Sequence, residues 1–390
     1  MYRRMWWSLV AAVLLTAAVV APARAAATLT EVSGFGSNPG ALRMYSYLPS
    51  ALPAGRPLVV ALHGCTQSAS DYYGHSGWPK YADLYQAALV LPEQTSVNNA
   101  LSCFNWFNAG DIARGGGEAL SIKQMVDYAV AHYGSDPSKV FVTGLSAGGA
   151  MTAVMLATYP DVFAGGGVVA GLPYNCGTVC QYQAQSKTPA QWGGLVRAAY
   201  PGYAGPWPRV AIWYGASDTT VVPANATELR DQWTNVLGVS PTPSNSDSLP
   251  GGTTRESYAG VVQLYRVQGI AHGTPVDPGG AESQCGTAGT YYLDSICSSY
   301  YLAQFWGLTG TTTPPTTTPP TTTPPTTPPA SQPCFTASNY AHTVAGRAHQ
   351  SGGYTYANGS NQAMGLWNVA VTHTLRRTAD NYYVLADGGC

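Results

Sequence analysis

Between residues 26 and 308 the apolar positions alternate between short continuous runs and helix-spaced stripes. Residues 58–62 read LVVAL, an apolar run of strand length, and residues 72–87 can form a helix. Residues 88–91 give the next strand. Between Glu118 and Tyr133, the residues Ile122, Met125, Val126, Ala129 and Val130 fall on one helical stripe. Strands are predicted over residues 140–143, 165–170, 210–214 and 261–267, and helices over residues 147–158 and 225–237. Apolar strands alternating with helices imply an α/β architecture, a mostly parallel sheet covered on both faces.

The pattern breaks at two places. Residues 309–333 repeat Thr-Thr-Pro-Pro units and hold no large apolar side chain, so they read as an extended, solvated linker near polyproline II. Beyond it, residues 334–390 form a small module that begins and ends with cysteine. At the other end, Arg3 and Arg4 precede an apolar run over residues 9–20, and Ala23-Arg24-Ala25 offers a small-residue cleavage site. That reads as a signal peptide over residues 1–25 rather than a membrane anchor, since the run falls short of the ~20 residues a span requires. The arginine pair leaves both the general and the twin-arginine export routes open. The expected product is an extracellular protein with a catalytic domain over residues 26–308.

Charged residues make up 9% of the chain, against about 25% in an average domain, and the net charge is −1. This gives no basis for electrostatic capture of nucleic acid or of an acidic membrane. A surface of Gly, Ser, Thr, Asn, Gln and Tyr suits a neutral polymer. A monomer is expected.

Eight cysteines, at positions 65, 103, 176, 180, 285, 297, 334 and 390, agree with export. They permit roughly a hundred pairings, and sequence alone does not choose among them. Neighbour spacing favours Cys176–Cys180, Cys285–Cys297 and Cys334–Cys390, which leaves Cys65–Cys103. Zinc is the rival reading, but there is no paired CxxC motif or histidine cluster to support it.

Gly144-Leu145-Ser146-Ala147-Gly148 fits G-x-S-x-G. Five letters recur by chance; their setting adds weight. The motif directly follows the strand VFVT and opens the helical run AGGAMTAVMLAT, as a nucleophile elbow requires. The competing reading is a helix N-cap serine. A serine hydroxyl needs a base, and in this arrangement the chain order is Ser, then Asp or Glu, then His. Of seven histidines, three precede Ser146 and three lie beyond the linker, which leaves His272 in Gly269-Ile270-Ala271-His272-Gly273. Asp218, just past the strand VAIWY, is the expected acid, with Asp277, Glu228 and Asp294 as alternatives; Glu228 reads as helical and solvated. The oxyanion donors are expected to be the backbone N–H of Ala147 and that of Cys65, in the loop His63-Gly64-Cys65-Thr66-Gln67. His63 itself reads as a structural histidine tying loops together. Trp106 and Trp213 are candidates to line the acyl or alcohol site, against a reading of both as core aromatics. No metal or organic cofactor is needed for such chemistry.

These residues resemble a known family. HGCTQ at 63–67, CFNWF at 103–107, GLSAGGAM at 144–151 and the Asp218 and His272 loops are similar to the polyhydroxybutyrate depolymerase esterases. That group is close to carbohydrate esterase family 1, with its feruloyl and acetylxylan esterases. The resemblance implies an α/β-hydrolase fold and Ser-Asp-His catalysis on Ser146, Asp218 and His272. It implies polymer binding for residues 334–390, whose SNYAHTVAGRAH and ANGSNQAMGLWN are similar to modules that follow such esterases. The segment 175–205, with Cys176, Cys180 and many Gln and Gly residues, departs from the pattern and is expected to shape the substrate site. Three functions follow: an extracellular polyester depolymerase, a feruloyl or acetylxylan esterase, and a non-catalytic polymer-binding protein on a hydrolase scaffold. The intact triad argues against the last.

Overall fold

The computed structural model describes residues 28–310, 334–360, 362–379 and 382–387. The expected signal segment and Thr/Pro linker lie outside them. The chain divides into two compact units, residues 1–314 and 315–390.

Ten strands of the first unit form one sheet: β1 (Thr30–Val32), β2 (Arg43–Tyr47), β3 (Arg56–Leu62), β4 (Ala88–Glu93), β5 (Ser135–Leu145), β6 (Gly165–Val169), β7 (Arg209–Gly215), β8 (Asn245–Leu249), β9 (Thr253–Tyr258) and β10 (Val262–Val267). Their order is β1-β2-β4-β3-β5-β6-β7-β10-β9-β8. The central strands β4, β3, β5, β6, β7 and β10 are parallel. The flanking pairs β1-β2 and β9-β8 are antiparallel additions. The apolar runs read from the sequence are the central strands, because burial on both faces demands continuous hydrophobicity. β8 (NSDSL) is polar and half exposed, as an edge strand can be, so it left no apolar signature.

Helices α1 (Ala69–His75), α2 (Trp78–Tyr85), α3 (Gly117–Tyr133), α4 (Ala147–Thr158), α5 (Pro189–Ala199), α6 (Ala224–Leu237) and α7 (Ser298–Trp306) supply the remaining layers. One core lies where α3, α4 and α6 meet the sheet, around Ile122, Met151 and Trp233. The other lies under α1, α2 and α7, around Tyr72, Trp78 and Trp306. The single helix expected over residues 72–87 is two helices. The chain breaks at Gly77, whose φ is +82°, and Pro79 starts the second helix.

α4 is buried at every position, as its apolar sequence requires. It approaches the sheet closely because Gly148 lacks a side chain. A Cβ there would come within 2.5 Å of the His63 carbonyl oxygen. This brings the N-terminus of α4 against the loop that follows β3.

The described residues of the second unit form two three-stranded antiparallel sheets and one short helix, Asn339–Val344. Its core is small: Ala348, Ala357, Met364, Leu375 and Tyr383.

Candidate active site

Ser146 stands between β5 and α4 with φ +57° and ψ −115°. This is the first-corner conformation of a type II′ turn, where glycine dominates. A serine held there stores roughly 1–3 kcal/mol of strain, which the packing of β5, β6 and α4 must hold in place. The Ser146 amide donates to the Val169 carbonyl on β6 at 2.9 Å, and its carbonyl accepts from Ala150 at 2.8 Å. The half-buried side chain lines a pocket of about 380 Å³ that His272 also lines.

His272 follows β10. Its Nδ1–H donates to Oδ2 of Asp218 at 2.7 Å. The Asp218 side chain is fully buried, and its Oδ1 accepts from the Thr220 and Val221 amides, each at 2.9 Å. Both carboxylate oxygens are therefore occupied, which fixes the carboxylate plane and the tautomer of the imidazole. The two loops are joined by the Ser217 amide, which donates to the Ile270 carbonyl at 3.1 Å. The alternative acids lie elsewhere. Asp277 pairs through its backbone with Cys285, and Asp294 is exposed at the end of a short strand. Glu228 sits on α6 as its helical pattern indicated. It is buried rather than solvated, because the 175–205 segment covers it and the Gln185 amide bonds to it.

The loop after β3 faces Ser146 across the pocket. His63 is fully buried, and burial lowers its imidazole to about 4, so it is neutral at working pH. Its Nε2 accepts from the Gln94 amide at 3.0 Å, and its Nδ1–H donates to the Gly64 carbonyl at 2.7 Å. Among the described residues there are no cis peptide bonds. In a trans peptide the C=O and the next N–H point in opposite directions. With the Gly64 carbonyl drawn inward to His63, the Cys65 N–H is turned out to the pocket. The Gly64 amide is occupied instead by Oε1 of Gln67, at 2.8 Å. Among the described residues, neither the Cys65 nor the Ala147 amide meets a protein acceptor. The Ala147 amide is one of the orphan donors at the start of α4, where the helix dipole favours negative charge.

The loop after β3 is tied to the opposite wall twice, by the Cys65–Cys103 disulfide and by the Thr66 amide, which donates to the Leu101 carbonyl at 2.6 Å. Cys176–Cys180 and Cys285–Cys297 are also disulfides; Cys334 is bonded, but Cys390 lies outside the described residues. The remaining lining comes from Leu101, Trp106, Phe107, Leu172, Val221 and Tyr291, with Gln181 and Tyr182 supplied by the 175–205 segment. Among the described residues, no Asp, Glu, Lys or Arg side chain lines the pocket.

Of the two tryptophans, Trp106 lines the pocket. Trp213 does not. It is fully buried on the α7 face of β7, stacked 3.8 Å from Tyr265. Strand alternation points it away from the site, which its distance along the chain from Asp218 does not reveal. Sequence reasoning missed Gln67 as the anchor of Gly64. The i, i+3 spacing within HGCTQ is the one local hint. It also missed Glu118, whose helical stripe looks ordinary.

Cys176, Cys180 and Glu228 place potential metal-ligating atoms within 4.8 Å of one another. The two sulfurs are joined to each other, so neither is a thiolate.

Comparison with known proteins agrees with this architecture. Residues 42–257 match the family model described as esterase PHB depolymerase. The chain is 53% identical over 294 residues to poly(3-hydroxyalkanoate) depolymerase C of Paucimonas lemoignei, which covers 72% of this chain and 70% of that protein. It is 37% identical to feruloyl esterase B of Talaromyces stipitatus, over 68% of this chain and 77% of that one. A solved acetyl xylan esterase from Aspergillus awamori superposes with a TM-score of 0.63 at 28% identity, covering 72% of this chain and 99% of that one. The fold is that of the α/β-hydrolase esterases, and the chain belongs to the esterase PHB depolymerase family.

Proposed function

We propose that this protein is an exported serine esterase that hydrolyses a neutral polyester of the poly(3-hydroxyalkanoate) type through an acyl-enzyme. The observation that carries the reading is Ser146, held on a strained elbow in one pocket with the His272–Asp218 couple. His272 takes the Ser146 proton through Nε2 as Oγ attacks the ester carbonyl. Asp218 stabilises the imidazolium through Nδ1. The developing oxyanion rests on the Cys65 and Ala147 amides. His272 then protonates the leaving alkoxide, and water repeats the cycle on the acyl-enzyme.

The substrate class is supported by the uncharged pocket and by the 53% identical depolymerase. The second unit supports a solid substrate. Tyr340 and Trp367 are exposed with ring centroids 5.4 Å apart, and exposed Val344 lies one turn along the helix from Tyr340. Such a face suits adsorption to a neutral polymer, and tethering raises the local concentration of catalyst there.

A second reading, an acetylxylan or feruloyl esterase, is favoured by the superposed acetyl xylan esterase. The deciding experiment compares clearing of polyhydroxybutyrate granules with release of acetate from xylan and ferulate from arabinoxylan, using Ser146→Ala as the blank. Clearing with little release supports the polyester. Release without clearing moves the function to the cell-wall esters.

A further inference from the structure

One wall of the pocket is carried by residues 94–116, a long connection between β4 and α3 without helix or strand. A loop of that length in a compact domain needs internal partners for its polar groups. Several of them converge on a side chain that the proposed chemistry does not use. Glu118 lies in the first turn of α3 and is fully buried. Its Oε2 accepts from the Asn105 amide at 2.8 Å, and its Oε1 accepts from Nε2 of Gln94. Asn105 leads directly into Trp106 and Phe107 of the pocket wall. The Gln94 amide group cannot turn over freely, because its Oε1 already accepts from the Thr95 amide at 3.0 Å and from Nδ2 of Asn98 at 2.8 Å. Through its backbone, Gln94 donates to His63, and His63 holds the Gly64 carbonyl. Both branches, the wall and the oxyanion loop, thus meet at one carboxyl group.

We infer that Glu118 is a positioning residue for the esterase reaction, aligning the oxyanion loop through Gln94 and His63 with the Trp106 wall through Asn105. The inference rests on the esterase reading above. A carboxyl group suits the task because each of its two oxygens takes one N–H donor, and even when protonated its hydroxyl oxygen keeps an acceptor lone pair that a carboxamide nitrogen lacks. Burying it is costly, and burial holds its carboxyl up at about 8, with Asp111 adding to the rise. Such a cost is retained where the geometry it fixes matters, since displacement of about 1 Å at a reacting centre can lower a rate by roughly two orders of magnitude.

Glu118→Gln tests this with little change of volume. The carboxamide turns an NH₂ toward a donor, and Gln94 cannot compensate without giving up Thr95 and Asn98. Gln94→Ala, which cuts the same link from the other side, is the second arm. Each is assayed on a soluble short-chain ester, with active sites counted by titration with a serine-directed phosphonate. The expected result is a fall in kcat per titrated site of about tenfold or more, as for loss of an oxyanion contact, with KM within about twofold. The double variant should lose no more than the worse single one, because both break one relay. Unchanged kcat per titrated site would overturn the inference and leave Glu118 a structural residue, as would fully additive losses. Failure of the wild-type enzyme to hydrolyse the ester would instead refute the esterase reading itself.

Discussion

Asp218 holds His272 at 2.7 Å through one carboxylate oxygen, while two backbone amides hold the other. The aspartate is thus oriented by the backbone before it orients the imidazole of His272.

Asp218→Asn tests that relationship. The amide keeps the shape but presents an NH₂ where His272 needs an acceptor, so the imidazole turns to the wrong tautomer. The expected loss in kcat on a soluble ester is roughly 10⁴-fold, with an unchanged circular dichroism spectrum. A loss under tenfold would remove Asp218 from the proposed triad.

The Cys65–Cys103 bridge closes a loop with a sequence separation of 38 and joins the proposed oxyanion loop to the pocket wall. Replacing both cysteines with serine should lower the unfolding free energy by about 2–4 kcal/mol in urea titrations. It should also lower kcat, because the Cys65 amide loses its anchor. Lost stability with full kcat would mean that the Thr66–Leu101 hydrogen bond alone keeps the loop in place.

Glu118 gives stability a pH dependence of definite sign. Burial raises its carboxyl from the ordinary 4.5 to about 8. The folded state therefore prefers the protonated form, and this contribution is complete below about 4.5 and is lost as pH rises through about 8. The melting temperature of the wild type, measured against Glu118→Gln, should decline between pH 5 and pH 8. A difference that stays flat across that window would contradict a buried, protonated Glu118.

Trp367 belongs to the second unit and is exposed beside Tyr340. Trp367→Ala should weaken adsorption to polyester granules in a depletion assay and leave hydrolysis of a soluble ester unchanged. Unaltered adsorption would detach polymer binding from this face.

Much of the candidate site was legible in the sequence because its motifs are local. Ser146 sits at a strand-to-helix junction that the apolar pattern marks, and histidine elimination leads to His272. The central parallel strands were legible for a similar reason: burial on both faces leaves unbroken apolar runs. What was not legible depends on directions and long-range partners. Trp213 and Trp106 look alike in sequence, yet strand alternation sends the first into the core. Glu118 reads as an ordinary first-turn residue, since its role arises only when Gln94 and Asn105 fold back onto it. The polar edge strand β8 carries no periodic signal at all.

The most direct test of the account is to treat the enzyme with a fluorophosphonate and locate the adduct by peptide mass spectrometry. A single adduct on Ser146, formed in step with loss of ester hydrolysis and absent from Ser146→Ala, is the predicted result. Complete loss of hydrolysis with the adduct on another residue, or full hydrolysis by Ser146→Ala, would contradict it.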